Sequence, residues 1–144
     1  MRSTRANGIT IAYEDLGSGP PLLLLHGFSL DHSMWAAQVK QLERSYRLIA
    51  PDLRSLGKTE KPSQPFSVAD MADDAAALLE AIDIPAAAVA GFSLGGYVLA
   101  QMLVRHPLKV RAAAFVSTQA GADTAERAEA RVKTMRFVVD EGMA

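Results

Sequence analysis

Apolar and polar positions along this 144-residue chain switch repeatedly between a period of two and a period near 3.6. Ile9-Thr10-Ile11-Ala12-Tyr13 alternates directly after Asn7-Gly8, a pair that tolerates the positive φ of a tight turn. A β-hairpin is therefore expected to open the chain. Gly17-Ser18-Gly19-Pro20 reads as a turn, and Leu22-Leu23-Leu24-Leu25 is a continuous apolar run of the kind found in strands buried on both faces. Residues 34–44 follow a helical period, and Tyr46–Ala50 reads as a strand. Residues 51–66 hold Pro51, Pro62, Pro65, Gly57 and many polar groups, so a loop is expected. Ser67 is placed to cap a helix, with Asp70 three residues on to return the hydrogen bond. Val68, Met71, Ala75, Leu78, Leu79 and Ile82 then share one helical face. Ala86–Ala90 reads as a strand of small residues. A broadly apolar helix runs from Leu94 to about Arg105 and stops at His106-Pro107. Val110–Ser117 reads as a further buried strand. Asp123 or Thr124 caps a last helix with Ala128, Val132, Met135 and Val139 on one face.

Strands and helices in alternation imply βαβ units. The fold class expected is α/β: a mostly parallel, doubly wound sheet of about six strands, with an N-terminal hairpin. Such sheets bind ligands at the carboxyl ends of their strands, so the chemistry should lie there.

Composition narrows the function classes. The net charge of −1 gives no basis for binding nucleic acid or an anionic membrane surface. The absence of cysteine excludes a disulfide framework, an iron–sulfur cluster and a thiolate zinc site, and it suits a reducing compartment; a cytoplasmic location is expected. Leu22–Leu25 is far too short to span a bilayer, and no long apolar run follows Arg2 and Arg5 as a signal peptide would require. The length suits one domain, residues 1–144.

Gly91-Phe92-Ser93-Leu94-Gly95 is a G-x-S-x-G motif between an expected strand and an expected helix. A sharp turn there pushes the Ser93 hydroxyl clear of the backbone, and side chains at Gly91 and Gly95 would collide with it. The helix starting at Leu94 aims its amides and positive dipole end at the site, which favours a developing oxyanion. His26-Gly27-Phe28 ends the Leu22–Leu25 strand. Gly27 permits a tight turn, and the Phe28 N–H can join that of Leu94 as an oxyanion hole. Gly17-Ser18-Gly19 lacks the third glycine of a dinucleotide fingerprint and leads into a strand, so no nucleotide cofactor is implied.

His26-Gly27 after a buried strand, Pro51-Asp52-Leu53-Arg54 after the next, and Gly-Phe-Ser-Leu-Gly-Gly at the elbow together resemble the α/β-hydrolase superfamily. The likeness is to esterases, enol-lactonases, cofactor-free haloperoxidases and C–C bond hydrolases. It implies Ser93 as nucleophile, Phe28 and Leu94 as oxyanion-hole donors, His26, Gly27, Gly91 and Gly95 as supporting residues, and a small ester or lactone as substrate. No metal or organic cofactor is implied. Ser55-Leu56-Gly57 departs from the Gly-His-Gly common in relatives. The resemblance covers only the N-terminal portion of such a hydrolase: the last strands are absent, and residues 124–144 would open its cap.

In that superfamily the acid and then the histidine follow the serine along the chain. His106 is the only histidine after Ser93, and the intervening helix puts it roughly 18 Å away. His26 and His32 lie on the loop near the expected site, His26 as a brace of the oxyanion loop. Asp123 follows the Val110–Ser117 strand, where some relatives carry their acid, though a helix cap explains it equally. Asp52 reads as a loop-structuring residue. His26, Asp31 and His32 match no standard metal spacing. Two readings follow. One is a serine hydrolase whose base arrives from outside this chain. The other is a non-catalytic module that pairs with a second copy or a complementing chain through the open edge at Val110–Ser117.

Overall fold

A computed structural model describes residues 1–141, excepting the side chains of residues 135 and 137–141. Six strands form one sheet: β1 (Arg2–Ala6), β2 (Ile9–Leu16), β3 (Pro21–Leu25), β4 (Arg47–Pro51), β5 (Ala87–Phe92) and β6 (Val110–Val116). Their order across the sheet is β1-β2-β4-β3-β5-β6. The hairpin is antiparallel, and β2 also runs antiparallel to β4. Strands β4, β3, β5 and β6 are mutually parallel. Asn7 and Gly8 both adopt positive φ, 47° and 79°, and Ala6 pairs with Ile9, so the turn has two residues as expected of Asn-Gly.

Among the described residues there are four α-helices: α1 (Ala36–Leu42), α2 (Val68–Ala81), α3 (Leu94–Arg105) and α4 (Ala125–Glu141). The expected helix over 34–44 is shorter, because His32–Trp35 forms a 3₁₀ turn before α1 begins. Helix α2 begins with the full capping box between Ser67 and Asp70. Its Met71, Ala75, Leu78 and Leu79 are buried against Ile11, Leu23, Leu25, Val98 and Met102, with Val68 and Ile82 packed at the margin. A smaller cluster on the other face joins Leu24, Leu48, Ala50 and Trp35. Met34 packs against this cluster.

The expectation that Val110–Ser117 is buried is corrected. Residues Arg111–Val116 are exposed, because β6 has only β5 beside it and no layer over its outer edge. Leu108 is 90% exposed, Val104 77% and Phe115 51%, an apolar margin at this end of the sheet. On α4, Ala128 and Val132 are exposed, while the Met135 and Val139 side chains lie outside the described residues. No helix among the described residues is long and apolar enough to cross a membrane.

Candidate active site

Ser93 sits between the last residue of β5 and the first of α3, at φ 50° and ψ −109°. A side chain is seldom held there, and such a conformation stores about 1–3 kcal/mol of strain. Three hydrogen bonds fix it. The Ser93 N–H donates to the Val116 carbonyl at 3.0 Å, and the Ser93 carbonyl accepts from the Gly96 N–H at 3.0 Å and the Thr118 hydroxyl at 3.0 Å. The β5–β6 seam therefore holds the turn from one side and α3 from the other.

The two motif glycines are required by close approach. A Cβ at Gly91 would run into the Gly95 carbonyl and lie 2.7 Å from the Gly96 nitrogen. One at Gly95 would run into the Leu25 carbonyl and lie 2.8 Å from that of His26. Helix α3 thus starts in contact with the end of β3. A Cβ at Gly27 would lie 2.8 Å from the Phe92 ring and 3.5 Å from Ser93 Cβ, so the His26-Gly27-Phe28 loop runs beside the serine. The Phe28 side chain points to solvent, 62% exposed. No side chain caps α3, so its first amides, Leu94 included, open onto the turn.

His26 is fully buried and is spoken for on both ring nitrogens. Its Nε2 accepts from the Leu53 N–H at 2.8 Å, which places the proton on Nδ1, 2.8 Å from the Gly27 carbonyl. Burial pushes its pKa below the ordinary value, against smaller opposing effects from the Gly27 carbonyl and Asp52. A neutral ring with an occupied Nε2 ties the His26-Gly27-Phe28 loop to the loop after β4. It has no lone pair left for the Ser93 proton.

His32 Nδ1 contacts Asp52 Oδ1 at 2.7 Å, and the His32 N–H donates to the same oxygen at 2.9 Å. The other Asp52 oxygen accepts from the Lys58 N–H at 2.8 Å, and a Cβ at Gly57 would run into this carboxylate. Asp52 therefore organises the loops after β3 and β4 together. Ligand atoms of Asp31, His32 and Asp52 lie within 4.8 Å of one another, and each is already bonded within the protein, Asp31 to the Ser33 N–H. His26 takes no part in that group. His32 lines a cleft with Ala36, Val39 and Lys40. His106 stands at the far end of α3, 2.6 Å from Asp73, with Arg105 on the same carboxylate. Asp123 is held by Arg131, at 2.6 Å to Nε and 3.2 Å to Nη2, and Thr124 supplies the cap of α4.

Sequence reading overlooked Thr118, although its place just past the carboxyl end of a parallel strand marks it as a site position. It also overlooked Tyr97, Arg127 and Arg131. These line an open cleft of about 520 Å³ with Ser117, Thr118 and Gln119, directly beyond the serine turn.

The family model for the alpha/beta hydrolase fold matches residues 20–139. The chain belongs to this family. A Bacillus subtilis AB hydrolase superfamily protein, YisY, is 36% identical over 99 residues, covering 68% of this chain and 37% of its own length. A 2-hydroxymuconate semialdehyde hydrolase from a Pseudomonas species is 34% identical over 114 residues, covering 76% of this chain and 40% of its own. Among solved structures, a thermophilic esterase from Thermogutta terrifontis superposes with a TM-score of 0.92 at 32% identity, over 99% of this chain and 55% of that one. An enol-lactonase from Burkholderia xenovorans superposes at 0.91 and 27% identity over the same shares. This alpha/beta hydrolase chain thus spans about half the length of those structures and less of the curated relatives.

Proposed function

We propose that this chain is the nucleophile-bearing part of a serine hydrolase acting on carboxylic esters or lactones. The observation that carries the proposal is the strained backbone of Ser93, φ 50° and ψ −109°, held between a strand end and an uncapped helix start. That arrangement presents a hydroxyl where helix amides can stabilise the oxyanion formed by attack on a carbonyl. In this reading the Ser93 Oγ attacks, the Phe28 and Leu94 N–H groups receive the charge, and water releases the acyl group. The esterase and enol-lactonase neighbours support the substrate class.

The base and acid come from outside residues 1–141 in this reading. His26 is occupied at both nitrogens, His106 is bonded to Asp73 at the far end of α3, and Asp123 is bonded to Arg131. The open edge of β6 is the place where further strands, from a longer polypeptide or a second chain, would bring them. Treatment with a fluorophosphonate probe and assay with p-nitrophenyl acetate test the proposal. In the longer polypeptide or complex that supplies the base, Ser93→Ala should abolish labelling and remove the catalysed part of the hydrolysis. Labelling that survives Ser93→Ala would overturn the assignment.

A further inference from the structure

The cleft beyond Ser93 carries a charge arrangement that the serine chemistry leaves unused. Two arginines of α4, Arg127 and Arg131, face it across from Tyr97 of α3 and the Ser117–Gln119 segment. Their situations differ. Arg131 is gripped by Asp123 through two of its nitrogens, and the Tyr97 hydroxyl and the Asp123 charge both hold it in its protonated form. Arg127 has no carboxylate partner among the described residues. Its Nη1 donates to the Gln119 side-chain oxygen at 2.7 Å, which orients the guanidinium over the cleft without neutralising it. A guanidinium has five N–H groups in a fork that fits a carboxylate, and one side-chain bond leaves most of them to a ligand.

One wall of the cleft is bonded to the backbone of the serine turn. Thr118, on its wall, donates to the Ser93 carbonyl. Tyr97, on the opposite wall, lies four residues along α3, about 6 Å from Ser93. Ser117 adopts φ 47°, turning the backbone out of the sheet so that residues 117–119 line the wall.

We infer that Arg127 binds a carboxylate carried by the substrate, so that the preferred substrates are short esters or lactones bearing a free carboxylate a few bonds from the scissile carbonyl. This rests on the hydrolase reading for the scissile bond, but binding itself does not need turnover. Arg131, already matched by Asp123, positions the wall and does not take the ligand's charge.

The test uses the Ser93→Ala chain, which cannot turn the ligand over, with monomethyl glutarate and dimethyl glutarate as probes. Binding is followed by shifts of backbone amide NMR signals. The monoester should bind roughly tenfold more tightly, as a charge-assisted hydrogen bond implies, with shifts at residues 117–119 and 127. Arg127→Gln should erase the preference, and Arg127→Lys should keep part of it. Well-dispersed spectra of these variants, expected for an exposed position, exclude unfolding as the cause. Equal affinities for the two esters, a preference that survives Arg127→Gln, or no saturable shift from the monoester would each overturn the inference. Ser93-independent ester hydrolysis combined with an Arg127-dependent preference would sink the hydrolase reading and leave the carboxylate site standing.

Discussion

The hydroxyl of Thr118 donates a 3.0 Å hydrogen bond to the backbone carbonyl of Ser93. This bond links the loop after β6 to the turn after β5, and the Ser93 N–H to Val116 carbonyl bond runs beside it. A strained residue persists only where its surroundings over-determine it. Thr118 is one of those surroundings. Thr118→Val keeps the shape and removes the donor. It should cost about 1 kcal/mol of stability and slow fluorophosphonate labelling of Ser93 by more than that loss explains, while Thr118→Ser restores both. Equal labelling rates for Thr118→Val and the parent would show that the bond does not hold Ser93 in place.

Gly95→Ala should be costly although alanine favours helices. The new methyl group would run into the Leu25 carbonyl, which is backbone in the centre of the sheet and cannot swing aside. A destabilisation of about 1–3 kcal/mol is expected from overpacking, read as a lowered urea midpoint. Gly8→Ala offers a contrast, since a Cβ there meets nothing within 4 Å and suffers only from its φ of 79°.

Asp74 is buried on α2, where Arg54 reaches it with Nε at 2.6 Å and Nη2 at 2.5 Å, and Asn7 adds a third bond at 2.7 Å. Removing the carboxylate strands a guanidinium whose side chain is only 10% exposed. Asp74→Ala should therefore cost about 3–5 kcal/mol. The double variant Asp74→Leu with Arg54→Met should recover most of it, because no buried charge is then left alone. A double variant no better than Asp74→Ala in thermal unfolding would refute this account.

The pH dependence of stability should show His26. Its pKa is depressed by burial in the folded chain, so the unfolded chain takes up a proton that the folded chain refuses. Stability from this residue is intact above the ordinary value of 6.5 and is lost as pH falls below it, toward the folded pKa. The urea midpoint should decline over that range. His26→Gln should flatten the decline, even if the variant is less stable at pH 7.5. Asp73 cannot produce the same signal. Its pKa is lowered from 3.8 to about 2, chiefly by Arg105, so its contribution disappears only between those values.

The open edge of β6 gives a prediction about association. Phe115 and Val116 are 51% and 37% exposed on a strand with one neighbour. Light scattering of this chain should show mass rising with concentration, and Phe115→Lys should shift it toward the monomer. A chain that stays monomeric at every concentration would rule out pairing of two copies through this edge.

Much was legible in the chain because it is written locally. The Asn7-Gly8 turn, the Ser67 and Asp70 capping box, the apolar face of α2 and the run into Ser93 depend on neighbours within a few residues. Steric fit and periodicity decide them before any tertiary contact forms. The alternation of strands and helices was also enough to give the fold class, though not the order of strands across the sheet. Local pattern could not show that Nε2 of His26 is occupied, because Leu53 reaches it across 27 residues. Nor could it show that Asp74 is the buried one of the adjacent pair Asp73-Asp74 or that Arg54 answers it from another loop. Nor could it show that α4 brings Arg131 onto Asp123 and takes its cap from Thr124. The exposure of β6 is likewise a property of its place in the sheet. An apolar strand reads the same at the centre and at the edge, and only the packing of distant segments says which it is.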